Sequence, residues 1–160
     1  MHNFLKSQTP LVPGDAVAII INSEDGKYLL QHRDDNPQIF FPNHWSLFGG
    51  GIDPGETSLE AIVRETHEEL GILLSESRLK YCTQLWFDFS FEDAPKPIRR
   101  IFYHTAFSKN ELAQLKLGEG QGMALVTIHD ALSSLRIVPY DAMALWMHHA
   151  KDRIKKSNEQ

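Results

Sequence analysis

Residues 50–72 read Gly50-Gly51-Ile52-Asp53-Pro54-Gly55-Glu56-Thr57-Ser58-Leu59-Glu60-Ala61-Ile62-Val63-Arg64-Glu65-Thr66-His67-Glu68-Glu69-Leu70-Gly71-Ile72. A glycine-rich loop leads here into a helix with both ends marked. Thr57 with Glu60 three residues later makes a capping box, and Gly71 is a C-terminal cap. Leu59, Ile62, Val63, Thr66 and Leu70 recur at helical spacing, so one side packs on a core. Thr66 brings a hydroxyl to that side, and the carbonyl one turn back is the partner it needs. Glu65, Glu68 and Glu69 stand at i, i+3 and i+4, which predicts three carboxylates on one face opposite the apolar stripe. Like-charge neighbours on an open helix repel by about 0.2–0.5 kcal/mol per pair, a cost that a bound divalent cation reverses. Oxygen-only ligands suit Mg²⁺ or Mn²⁺ rather than zinc.

Outward from this segment, Ala16–Ile21, the turn residues 22–26 and Tyr28–Arg33 predict a β-hairpin. Residues 34–42 contain two prolines and form a loop, and His44–Phe48 is a short strand entering Gly49-Gly50-Gly51. Beyond the helix, Lys80–Phe91 and Arg99–Phe107 are aromatic-rich strands expected to pair antiparallel across the loop Glu92–Pro97. Met123–Ile128 is a further strand and His129–Leu135 a short helix. Asp141 is expected to cap a C-terminal helix in which Ala142, Leu145, Trp146 and His149 share a side. The fold class is α/β, a mixed sheet flanked by helices. Nothing divides the chain, so 1–160 is expected to be one domain with flexible ends at 1–13 and 155–160.

The 160 residues are 42% hydrophobic and 23% charged with a formal net charge of −5, and only Arg99-Arg100 and Lys155-Lys156 cluster basic residues. Binding to long nucleic acid by counterion release is therefore not expected. An acidic chain binds small phosphates through a cation, and a divalent metal is the usual one. The longest aliphatic run, Ala16–Ile21, is far too short to span a bilayer. With no signal-peptide pattern and a single cysteine, Cys82, the cytoplasm is the expected location. The glycines fit neither the Rossmann nor the P-loop pattern.

From Gly50 the chain passes five residues to Glu56 and seven more to the run Arg64–Ile72. This spacing resembles the signature of the Nudix hydrolases, with one departure: Thr66 stands where the family usually has an aliphatic residue. The resemblance implies an α/β/α sandwich and hydrolysis of a diphosphate linkage in a nucleoside diphosphate joined to a group X, a nucleoside triphosphate or nucleotide sugar foremost. It implies Mg²⁺, with Mn²⁺ as the alternative, held by Glu65, Glu68, Glu69 and the carbonyl of Gly50. Glu65 would be either a ligand or the base that orients water. Glu56 and Arg64 would support the site by pairing with each other. In some relatives the base comes from a later loop, and Glu119, in the run Gly118–Gly122, is the carboxylate placed to supply it or a further ligand. A homodimer is compatible with the resemblance.

Contacts to the rest of the substrate are sought among Trp45, Phe48, Trp86 and Phe87 as stacking faces, most of them core, and among Arg33, Arg99 and Arg100 as phosphate clamps. His67 is expected to face solvent. Two other functions belong to the same resemblance. A nucleotide-sensing module without catalysis is disfavoured because Glu65, Glu68 and Glu69 are all present. An isoprenoid diphosphate isomerase is disfavoured because its cysteine precedes the signature helix, whereas Cys82 follows it.

Overall fold

The structure is a computed structural model and describes residues 14–88 and 97–156, the last five of these by their backbone. Strands β1 (Ala16–Ser23) and β2 (Tyr28–His32) form the expected hairpin, with Asn22 opposite Tyr28 and Gly26 at φ 78° in the turn. Past that pair they part, and residues 45–51 run between them. Strand β3 (Trp45–Ser46) pairs with His32 and Gln31 of β2. Phe48 and Gly50 offer their carbonyls to the N–H groups of Ile19 and Val17, both at 2.9 Å. The triglycine is thereby built into the sheet rather than left on a surface loop.

Strands β4 (Lys80–Phe87) and β5 (Ile98–Phe107) pair antiparallel, and β5 runs parallel to β1 from Ala16 opposite Arg100 to Ser23 opposite Phe107. Strand β6 (Gly122–Val126) lies antiparallel on β2. The path is β3-β2-β1-β5-β4 with β6 joined to β2, a mixed sheet. Side-chain alternation divides the core into two clusters. Val17, Ile19, Ile21, Phe48, Ile101 and Phe107 face helix α1 (Ser58–Leu70) through Ala61, Ile62 and Leu70. Ala18, Ile20, Leu30, Leu47 and Phe102 face helices α3 (Ile128–Ser133) and α4 (Pro139–Lys156) through Ala131, Ala144 and Leu145, with α2 (Lys109–Leu112) lying between β5 and β6 in the chain. Each fully buried aliphatic or phenyl side chain contributes about 1.5–3 kcal/mol by leaving water, so both faces must be covered. The architecture is the expected α/β/α sandwich. Among the described residues no helix is long and apolar enough to cross a membrane.

Helix α1 has the capping box on Thr57 and Glu60 and the left-handed Gly71 at φ 68°. Thr66 is fully buried and its hydroxyl donates to the Ile62 carbonyl at 2.6 Å, the partner anticipated one turn back. Asp141 is not the cap of α4. It lies inside the first turn, fully buried, accepting from the Leu47 N–H at 3.0 Å and Arg100 Nε at 3.2 Å. The inward pairing of Asp141 sets the buried side of α4 at Asp141, Ala144, Leu145 and His148, one residue earlier than the expected stripe, and leaves Trp146 and His149 exposed. Helix α2, with its own capping box on Ser108 and Glu111, was not anticipated. The outer end of the strand expected to Phe91, most of the loop Glu92–Pro97 and the segments 1–13 and 157–160 lie outside the described residues; Lys155 and Lys156 continue α4.

Candidate active site

The wedge of residues 45–51 between β1 and β2 sets Gly49 and Gly50 against the last two turns of α1. Gly49 needs its missing side chain, since at φ 131° a Cβ would run into the Val17 carbonyl. Its N–H donates to Glu69 Oε2 at 2.6 Å. At Gly50 a Cβ would stand 2.5 Å from Glu65 Oε1, so this glycine leaves the space in which the Glu65 carboxylate lies.

The three helix carboxylates do not share one open face. Glu69 is buried, Glu65 has a side chain 14% exposed and Glu68 one 52% exposed. The reason is the wedge: residues 49–51 cover the side of α1 that an isolated helix would show to water. Burial pushes the Glu69 carboxyl up to about 8; the Gly49 N–H opposes this, and the charges of Glu65 and Glu119 add to it. Glu65 is raised by burial too, against the pull of Arg64 and with the charges of Glu68 and Glu119 adding.

Arg64 binds the cluster together. It donates from Nε and Nη2 to the two oxygens of Glu56, both at 2.9 Å, from Nη2 to the Gly51 carbonyl at 3.0 Å, and from Nη1 to Glu65 at 2.7 Å and Glu68 at 3.3 Å. This fork holds the Glu56 carboxyl down at about 2 and raises the guanidinium pKa further. Glu60, the other helix carboxylate within reach of Arg64, is occupied by the capping box. His67 is exposed.

The loop carrying Glu119 docks on the end of α1. Gly118 donates its N–H to the Glu69 carbonyl at 2.8 Å, and a Cβ on Gly118 would collide with the Glu68 carbonyl. Glu119 is exposed, and its charge reaches both Glu65 and Glu69. Gln31, which sequence reasoning missed, is a buried amide on β2 whose Nε2 donates to Glu69 Oε1 at 3.3 Å and to the Glu119 carbonyl at 3.1 Å. One polar residue closing the apolar run of β2 was the available signal.

A divalent cation fits the donor chemistry. All side-chain donors are carboxylate oxygens, and two of them are buried where negative charge without a cation is penalised. Among the described residues no three His, Cys, Asp or Glu side chains are gathered tightly enough to share an ion as they stand. Glu65 and Glu68 are turned to Arg64 and Glu69 to the Gly49 N–H, so cation binding exchanges some of those partners.

A cavity of about 390 Å³ opens from the Gly49–Ile52 loop toward the α4 side of the sheet, where Arg33, Phe40, Phe87, Arg100 and Tyr140 line it. Three expected contacts, Arg33, Phe87 and Arg100, are therefore on this cavity. Three others lie off it. Phe48 is fully buried against α1, as its carbonyl pairing with Ile19 turns its ring into the core. Trp45 packs with the α4-side cluster and stacks on His32 with ring centres 4.9 Å apart. Trp86 points away from the cavity because strand residues alternate; it is 62% exposed beside Arg99, and its neighbour Phe87 faces the cavity instead.

A family model of the NUDIX domain matches residues 12–154. The chain belongs to the Nudix family. The nucleoside triphosphatase NudI of Salmonella agona (strain SL483) is 50% identical over 54 residues, an alignment that takes in 32% of this chain and 38% of that protein. Against the curated relatives it matches first, the Nudix chain thus spans well under half their length. Its fold is similar to that of the MutT protein from Methanosarcina mazei Go1, with a TM-score of 0.67 at 22% identity over 97% of this chain and 100% of the other. It is similar also to a C. elegans Ap4A hydrolase, with a TM-score of 0.65 at 22% identity over 87% and 97%. The E. coli ORF135 protein has a TM-score of 0.65 at 27% identity over 85% and 88%.

Proposed function

We propose that this Nudix chain is a divalent-cation-dependent diphosphohydrolase, acting as a single domain on a nucleoside triphosphate or a nucleotide sugar. The observation that carries the reading is the juxtaposition at Gly49–Gly51: buried carboxylates of α1 on one side of the loop, an aromatic and arginine-lined cavity on the other. In this reading Glu65, Glu68, Glu69 and the Gly50 carbonyl hold the cation, Mg²⁺ first and Mn²⁺ as the alternative. When bound, the cation supplies charge neutralisation on the phosphate oxygens and acidifies water. Glu56 and Arg64 support Glu65, and Gln31 positions Glu69. Arg33 and Arg100 hold the substrate in the cavity.

Glu119 is the better general base. Glu65 is tied to Arg64 at 2.7 Å, whereas the Glu119 carboxylate is exposed and has no hydrogen-bond partner among the described residues. A water molecule gives its proton to Glu119 as its oxygen bonds to phosphorus, and the bridging P–O bond breaks. A nucleoside triphosphate then yields the monophosphate and pyrophosphate; a nucleotide sugar yields the monophosphate and a sugar phosphate.

The non-catalytic sensing reading has less support, because nothing in the carboxylate cluster is missing. A panel of nucleoside triphosphates, nucleotide sugars, dinucleoside polyphosphates, ADP-ribose and coenzyme A, run with Mg²⁺ and again after chelation, tests the proposal. Release of a monophosphate from one class, lost on chelation, is expected. Silence from folded, cation-binding protein would overturn it in favour of sensing.

A further inference from the structure

The cavity lies on the sheet face opposite the α1 carboxylates. Its floor is Phe87, Ile98 and Arg100 from β4 and β5, and Tyr140 at the start of α4 walls it. Across β1 from Arg100 is the triglycine, since Ala16 pairs with Arg100 on one side and with Gly51 on the other. Two strand spacings, about 10 Å, thus separate the Arg100 backbone from the loop. Whatever lies over the loop continues into the cavity.

Arg100 is built into this floor. Its side chain is 12% exposed, its Nε donates to the fully buried Asp141 at 3.2 Å, and its guanidinium stands 4.8 Å from the Tyr140 ring centre. Asp141 is fixed in turn by the Leu47 N–H. The terminal N–H groups of Arg100 have no hydrogen-bond partner among the described residues. Because Asp141 already balances its charge, the Arg100 head attracts a polyanion weakly, yet it still presents directional donors. Arg33 differs: its Nε donates to the Phe40 carbonyl at 3.1 Å and it forms no ion pair among the described residues, although its charge acts on Asp141 from a distance, so more of its charge than of Arg100's is left for the phosphate end. Aromatic walls suit a flat ring, and a guanidinium, which donates and never accepts, suits a ring edge bearing acceptors.

We propose, resting on the nucleotide reading above, that Arg100 is a specificity-determining residue held by Asp141, selecting nucleobases that carry a carbonyl where adenine and cytosine carry an amino group. An amino group facing Arg100 sets donor against donor; a carbonyl accepts. Discrimination of this kind amounts to roughly 10- to 100-fold.

The test compares substrates matched except at that edge, inosine with adenosine triphosphate and uridine with cytidine triphosphate. It also measures binding of inosine and adenosine monophosphates by calorimetry, which needs no turnover. The carbonyl member of each pair is expected to win by about 10-fold or more in kcat/KM and in Kd. Arg100→Met should bring both ratios close to one, mainly through KM. If Arg100→Met fails to fold around an unpaired Asp141, Arg100→Met with Asp141→Asn leaves no buried charge and keeps an acceptor for Leu47. Equal affinity for the two monophosphates overturns the proposal. So does a variant that weakens every nucleotide and inorganic pyrophosphate alike, which would make Arg100 a phosphate contact. Base preference in binding without hydrolysis of any substrate would sink the hydrolase reading and leave this one standing.

Discussion

Gly50→Ala puts the closeness of the loop to the helix carboxylates to a direct test. The added Cβ would stand 2.5 Å from Glu65 Oε1 and 2.7 Å from its Cδ and Oε2. Gly50 does not have a left-handed φ, so alanine is tolerated by the backbone, and the flexible end of Glu65 is what must yield. Displaced, Glu65 gives up its 2.7 Å bond from Arg64. Charge-assisted hydrogen bonds contribute about 1.5–3 kcal/mol, less here because the Arg64 side chain is 29% exposed. Stiffening of the unfolded chain offsets about 0.4–1 kcal/mol. The net loss is then roughly 0.5–1.5 kcal/mol, or about 2–5 °C in Tm for a chain of this size. Turnover should fall much further, about 100-fold, because misplacing by about 1 Å a carboxylate in the role proposed for Glu65 costs that much. Adding Glu65→Asp, which shortens the side chain, should restore part of the lost Tm. Gly122→Ala, with nothing within 4 Å of its Cβ, is the control for a glycine replacement without a clash. Wild-type kcat and Tm in Gly50→Ala would refute the packing of Glu65 against this loop and its place in catalysis.

Glu119→Gln is expected to lower kcat by about 100-fold or more while Mn²⁺ affinity, measured by calorimetry, is kept; a parallel loss of both would make Glu119 a ligand instead. Asp141→Ala should destabilise by about 3–5 kcal/mol in urea unfolding, because it strands the Arg100 charge and the Leu47 N–H; a change below about 1 kcal/mol would contradict the pairing. His104 predicts an acid-sensitive term in stability. Burial, with Lys151 and Lys80 nearby, lowers its pKa to about 4, and its Nε2 donates to Asn22 Oδ1 while its ring packs on His148. The unfolded chain takes up this proton near pH 6.5, so the contribution is complete above that pH and declines as pH falls toward 4. The loss is roughly 1–3 kcal/mol, and His104→Asn should flatten that part of the urea-midpoint profile; parallel profiles would exclude it.

Helix α1 was legible to its caps because capping boxes, a left-handed glycine and a 3.6-residue stripe are local signals, and all three sit within residues 57–71. The hairpin and the β4–β5 pairing were legible for the same reason. The burial of Glu69 was not, since it depends on residues 45–51 entering between β1 and β2, a contact distant in sequence. Which aromatics meet the cavity turned on strand phase: Phe87 faces it and Trp86 does not, a difference of one residue. Asp141 shows the limit most plainly. Its place at the start of a helix suggests a cap, and only the approach of Leu47, just past β3, and of Arg100 from β5 makes it a buried anchor.

In the function proposed above, the α1 carboxylates act through a bound cation on a phosphorus anhydride. Glu69→Gln puts this to the test, with turnover measured across a Mg²⁺ titration beside the wild type and folding checked by thermal unfolding. The variant is expected to fold, with kcat lowered by orders of magnitude and a raised Mg²⁺ requirement. Near-normal turnover at the wild-type Mg²⁺ midpoint would contradict it.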